Sequence, residues 1–179
     1  MLNNIAALVG TPISAPVTAF DSIQTVTVGA GGAASVSFTS IPSTYKHLQI
    51  RGFGLDSSAW IGIQFNGVTS GYTEHYLNGD GASAYGGGGT SKARIPIVGA
   101  SSGVNSTSPA VSIVDILDYA DTNKNKTVRA LAGIDKNGSG EAGMTSGLWA
   151  STSAITSIVI YCGGGNLTQY STYALYGVL

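Results

Sequence analysis

The sequence predicts an all-β protein, an antiparallel β-sandwich preceded by a short N-terminal arm. Three observations carry this. From residue 22 onward apolar residues recur with a period of two, strand-length segments are bounded by Gly, Asn, Asp, Ser or Pro clusters, and no long helical period appears. Eight or more short strands joined by turns point to two packed sheets, with a jelly roll as the expected form. The length of 179 residues suits one domain. Although Gly, Ser and Thr abound, 43% of residues are hydrophobic, and regularly placed β-branched and aromatic residues separate the chain from disordered compositions.

Residues 1–20 stand apart as a docking arm, and residues 21–179 form the sandwich domain. "LNNIAALVG" places Leu2, Ile5, Ala6 and Val9 at near-helical spacing, with Leu8 among them, and "TPISAPVTAF" then holds two prolines that favour extended backbone. An apolar segment shorter than about 12 residues is marginal as an isolated helix in water, so it must dock, on its own sandwich or on another protein. Leu2, Ile5, Leu8 and Val9 are its expected partner-binding residues. Four such aliphatic side chains, at about 1.5–3 kcal/mol each, give roughly 6–12 kcal/mol gross before ordering entropy is subtracted.

Strands are expected next at Ile23 to Val28, at Val36 and Phe38, and along "YKHLQIRGFG", where Leu48 and Ile50 share one face and His47, Gln49 and Arg51 the other. The pattern recurs in "WIGIQF" (60–65), "ARIPIV" (93–98), "AVSIVDILDY" (110–119), "KTVRALAGI" (126–134), "AITSIVIY" (154–161) and "YSTYALYGVL" (170–179). Turns are signalled by Asn66-Gly67, Gly79-Asp80-Gly81, Gly86 to Gly89, Asn137-Gly138-Ser139-Gly140 and Gly163 to Gly165. The stretch "VTVGAGGAASVSF" fits G-x-G-x-x-A, a dinucleotide-binding fingerprint. That turn must open a helix, whereas "SVSFTS" alternates as a strand and soon meets Pro42, so these glycines are expected to make a hairpin turn.

Several function classes are excluded by composition. Only 9% of residues are charged and the formal net charge is −1, which leaves no basic field for nucleic acid or anionic lipid. The single cysteine, Cys162, rules out an internal disulfide framework and a cysteine-rich zinc site, and is expected in the core beside Tyr161. The N-terminus has no basic n-region with an apolar run of signal-peptide length, so the chain is expected to be made in the cytoplasm without a secretion signal. The N-x-S/T triplets at Asn105, Asn125, Asn137 and Asn166 are then compositional.

Candidate chemistry is sparse. His47 lies on the solvent side of its strand, and His75 sits beside Glu74, yet no G-x-S-x-G or H-E-x-x-H motif positions a nucleophile or zinc. "DTNKN" (121–125) opens like a calcium loop but continues with Lys126 at position six and Ala132 at position twelve, where Gly and Glu belong. It reads as a polar hairpin with Lys124 and Lys126 solvated. "NGDGAS" (78–83) reads as a turn. A glycosidase needs two carboxylates about 5–9.5 Å apart, and an odd spacing in a strand turns Asp115 and Asp118 to opposite faces. No cofactor, metal or catalytic residue is expected. Tyr72, Tyr76 and Tyr85 flank the glycine-rich segment and are candidate surface residues for a glycan, while half-buried sandwich-edge positions explain them equally well.

Taken together, "LNNIAAL", "SIQTVTVGAGGAASVSFTSIPSTYKHLQIRG" (22–52), "IQFNG" (63–67), "YTEHYLNGDG" (72–81), "VDILDYADTNKNKTVRALAG" (114–133), "SGLWASTSAITSI" (146–158) and "QYSTYALYGV" (169–178) resemble a family of small structural proteins of tailed bacteriophages. The resemblance implies a non-enzymatic protein on the outer surface of the virion. One form is a capsid decoration (cement) protein whose arm binds the major capsid protein. The other is a tail- or neck-attached, fibre-like protein that reads a host glycan. A linker of about ten residues spans at most about 35 Å, which suits a seam between capsomers better than a fibre shaft. Self-association as a homotrimer or homodimer is expected from the same resemblance.

Overall fold

A computed structural model describes residues 19–54, 60–98 and 108–179. The arm residues Leu2, Ile5, Leu8 and Val9 lie outside the described residues. Twelve strands and no helix occur among the described residues: β1 (Phe20–Thr27), β2 (Ser35–Phe38), β3 (His47–Gly54), β4 (Ile61–Phe65), β5 (Tyr72–Gly79), β6 (Ala84–Lys92), β7 (Ile95–Val98), β8 (Ala110–Leu117), β9 (Lys126–Asp135), β10 (Gly140–Trp149), β11 (Ile158–Cys162) and β12 (Thr172–Val178). They form an eight-stranded sheet, β1-β12-β3-β8-β9-β10-β5-β6, and a four-stranded sheet, β2-β11-β4-β7. Every paired ladder is antiparallel.

The wiring has a simple logic. β1 pairs with β12, β2 with β11, β3 with β8 and β4 with β7, the nested pairs of one long hairpin whose strands alternate between the sheets. This order is consistent with the expected jelly roll, four strands to a sheet. Two hairpins are inserted into it. β5–β6 follows β4, β9–β10 follows β8, and both add to the free side of β8. They build a wing that extends the long sheet beyond the short one.

The core sits between the sheets. Leu48, Ile50, Val114, Ile116, Val128, Tyr173 and Leu175 from the long sheet meet Phe38, Ile61, Ile63, Phe65, Ile158 and Ile160 from the short one, all buried. Alternation along each strand produces this: β8 and β12 bury every second side chain. Cys162 is buried in this core.

Two turns follow their sequence signals. Asn137 (φ 58°) and Gly138 (φ 112°) close the β9–β10 hairpin, with the Lys136 N–H donating to the Ser139 carbonyl at 2.8 Å. Asn66 (φ 52°) and Gly67 (φ 69°) make a similar tight turn, but it carries the chain from the short sheet to the long one. Gly29 to Gly32 differ from expectation in the same way. A turn is there, with Gly32 N–H donating to the Gly29 carbonyl at 3.2 Å, but β1 and β2 lie in different sheets, so it is an arch and not a hairpin. Gly32 is required: a Cβ there would sit 2.8 Å from the Leu167 carbonyl oxygen. No helix follows, which removes the dinucleotide reading.

Candidate interaction surface

On the outer face of the long sheet, the strand registers align side chains into rows that run across the strands. One row passes from Arg51 through Ile113, Leu131, Met144 and Leu77 to Gly86. The next passes from Phe53 through Val111, Gly133, Ala142 and Gly79 to Ala84. Ile113, Leu131, Met144 and Leu77 are 46–60% exposed, and Phe53 and Val111 are 43% and 55% exposed. Directly opposed aliphatic side chains thus form a ridge, and the small residues beside it form a floor. A groove of about 370 Å³ runs where they meet, lined chiefly by Val111, Ile113, Leu131, Gly133 and Ala142. Among the described residues six large apolar side chains are thus exposed on one face, the kind of patch that suits a contact surface.

Charge lies at the margin of this surface. Arg129 donates to Asp115 at 2.8 Å and Gln49 donates to it at 2.9 Å. Partial burial pushes the Asp115 carboxyl up, but these two donors outweigh it and hold the group below the usual carboxylate range. Arg51 donates to Gln49 at 3.0 Å and lies over the rings of Tyr176 and Phe20, 5.0 and 5.4 Å from their centroids. The apolar rows therefore face outward with their neighbouring charges already engaged.

The tyrosine candidates separate. Tyr72 is fully buried, which corrects its reading as a surface contact. It stacks on Trp149 with centroids 6.2 Å apart, its hydroxyl accepts from the Phe65 N–H at 2.8 Å, and it donates to the Val68 carbonyl at 3.0 Å. Tyr76 and Tyr85 are half-buried in adjacent rows on the inner face of the wing, Tyr76 opposite Gly87 and Tyr85 opposite Asn78. There the Tyr85 hydroxyl donates to the Glu141 carboxylate, and Glu141 and Asn78 are both buried. Glu74, on the same face, pairs with Lys92 at 3.3 Å, while His75 points to the opposite face.

The acidic and basic residues around 115–126 build a turn. Asp118 lies past the end of β8 with φ 48°, so its separation from Asp115 comes from the turn and not from the pleat. Lys124 and Lys46 approach its carboxylate at 2.9 and 3.2 Å and hold it down to about 2, and its N–H donates to His47 Nδ1 at 3.0 Å. Lys126 is not solvated as expected. It is fully buried, and its ammonium donates to the carbonyls of Asp121, Lys124 and Thr152 at 2.5, 2.6 and 3.1 Å. The carbonyl oxygens that could have lined a cation site in "DTNKN" therefore already accept from an ammonium. In "NGDGAS", Asp80 accepts from the Ala82 and Ser83 N–H groups at 2.9 and 2.6 Å, and these bonds lower its carboxyl. Among the described residues no group of three or more His, Cys, Asp or Glu side chains converges as a metal site.

The outer-face residues Phe53, Leu77, Val111, Ile113, Leu131 and Met144 were not singled out by sequence. Their signal is nonetheless present: "AVSIVDIL" is apolar at both parities, the mark of a strand covered on both faces. Compared with known proteins, the chain matches no family model, no curated protein and no solved structure.

Proposed function

We propose that the protein is a non-enzymatic structural component of a phage virion, a capsid decoration protein that binds the assembled shell through its N-terminal arm and presents the sandwich outside. The observation that carries this reading is the exposed apolar face of the long sheet, which suits a protein whose working state is an assembly. The convergence of polar groups elsewhere supports structure: Lys126 staples a turn, Asp118 collects lysines, and Asp80 caps a loop. The resemblance to small phage structural proteins gives the partner class, the major capsid protein, and the location.

A second reading retains one observation in its favour. Tyr76 and Tyr85 lie together with Asn78 and Glu141 on the inner face of the wing, a polar and aromatic set suited to a sugar. In that reading the arm grafts the sandwich to a tail or neck protein.

Immunogold electron microscopy of intact virions, with an antibody against residues 21–179, tests the choice. Decoration predicts gold spread over the head, and loss of particle binding when residues 1–18 are deleted while β1 stays intact. Gold confined to the neck or tail overturns decoration in favour of the glycan reading. Absence of gold from the particle overturns both.

A further inference from the structure

We propose that the ridge and floor of the outer face form an isologous contact between two copies of this chain. The inference rests on the reading of that face as an assembly surface and names what covers it. Consider a two-fold axis lying in the plane of contact, running across the strands between the two rows. Rotation about it brings each ridge residue over the floor residue of the same strand in the other copy. Leu131 then faces Gly133, Met144 faces Ala142, Leu77 faces Gly79 and Ile113 faces Val111. Arg51, whose guanidinium lies over Tyr176 and Phe20, stands opposite Phe53. In three of these pairs a large side chain meets a residue with little or no side chain, so the relief of the face is complementary to itself.

The area suits a pair of this kind. Five strands, β3 to β5 in sheet order, at about 4.8 Å spacing span about 24 Å, and the two rows with the polar residues that flank them, such as Arg129 and Asp135 on β9, take up six residues at about 3.4 Å each, about 20 Å. The flat projection is about 480 Å² per copy, and side-chain relief carries the two faces together to about 1,000 Å² or more, where specific interfaces begin. A partner burying apolar rows of this size forms a reversible dimer that salt weakens little.

Sedimentation equilibrium of the full-length chain, from low to high micromolar, tests this. Wild type is expected to dimerise. Gly133→Leu is the diagnostic variant: a Cβ at Gly133 meets only the Glu141 carbonyl oxygen, at an ordinary 3.5 Å, so the single chain accommodates the change. It makes the face more apolar yet fills the floor, and is expected to weaken dimerisation by at least about tenfold. Unspecific stickiness predicts the reverse. The double variant Leu131→Gly with Gly133→Leu exchanges ridge for floor and is expected to recover dimerisation relative to Gly133→Leu. Should either variant fold poorly by circular dichroism, Leu131→Ser reads the same contact. A wild type that stays monomeric, or a folded Gly133→Leu that associates as well as wild type, overturns the proposal. No particle is present in the assay, so such a result leaves the virion reading to its own test.

Discussion

Replacing Lys126 with methionine removes one ammonium and keeps the length of its stem, which isolates the work of three hydrogen bonds. The ammonium is fully buried and holds the carbonyls of Asp121, Lys124 and Thr152 at 2.5–3.1 Å, tying the turn after β8 to the segment that follows β10. Three carbonyls left without a donor cost about 1–2 kcal/mol each, or roughly 3–6 kcal/mol. Part of that returns, because methionine has no charge to desolvate. Burial pushes the Lys126 ammonium down, against the raising pull of Asp121 and Asp118, so it carries a real desolvation cost. The expected net loss is about 2–4 kcal/mol, from a total that in domains of this kind is about 5–15 kcal/mol. At about 2–4 °C per kcal/mol, the melting temperature should fall by about 4–16 °C. Urea unfolding followed by tryptophan fluorescence measures the loss, with Lys124→Met as the control. Lys124 is exposed and only bridges Asp118 and Asp121, so its replacement should lower the urea midpoint far less than that of Lys126. If the two variants lose equal stability, the staple carries no special weight and the reasoning fails.

Three further perturbations follow from the same geometry. Asp118 is held at about 2 against an ordinary 3.8, so it binds fewer protons folded than unfolded; its stabilising effect is full above the unfolded value and is lost as pH falls from about 4 through 2. Urea midpoints across that window should decline, and Asp118→Asn should flatten part of the slope; an unchanged slope refutes the assignment. Tyr72→Phe leaves the buried Phe65 N–H and Val68 carbonyl without their partner and should cost about 1–3 kcal/mol in the same assay, with neutrality as the contrary outcome. Gly163→Ala would put a methyl 1.7 Å from the Trp60 ring, which must then leave its place under Arg94 and beside Tyr161. The expected cost is about 1–3 kcal/mol, with a red shift in tryptophan emission, and an unshifted spectrum contradicts the packing.

Which parts of this fold could be read from sequence depends on where each strand finds its stability. β3, β4, β7, β8, β9, β11 and β12 carry apolar residues at alternate positions that meet across the core, and their pattern is legible. β5, β6 and β10 were not read as strands. β6 holds Gly86 to Gly89, and β10 holds Gly140, Gly143 and Gly147, residues with poor strand propensity. The glycines have neighbours that need the room: a Cβ at Gly143 would sit 2.1 Å from Asn78 Oδ1, and one at Gly147 2.5 Å from Ile95 Cγ2. Those strands exist because β9 pairs with β10 along its whole length, β5 with residues 142–149 of it, and β6 in turn with β5, a tertiary cause that no local window contains. Lys126 departs from its expected solvation for a different reason. It shares the parity of Val128 and Ala130, so alternation alone places it inward, against the ordinary solvation of a lysine.

The wing departs from the usual polarity of an antiparallel sheet. Ordinarily the face turned toward the core is apolar and the outer face polar. Over the inserted hairpins the inner face carries Glu74, Asn78, Tyr85 and Glu141 beside the buried Tyr72, Val128, Ala130, Ile134 and Trp149, while the outer face carries Leu77, Leu131 and Met144. The short sheet ends at β7, whose Ile95 lies against Gly147, and the wing's inner side keeps polar groups, of which Tyr85 bonds Glu141 and Lys92 pairs with Glu74. Its outer side has no cover within the described chain. The aliphatic residues of the insertions divide between the faces, with Val128, Ala130 and Ile134 inward. Register aligns the outward ones in one row across β8, β9, β10 and β5, strands contributed by two separate insertions and the parent sheet. Alignment across that many ladders gives one continuous apolar strip, the form that the proposed second copy laid across the strands would use.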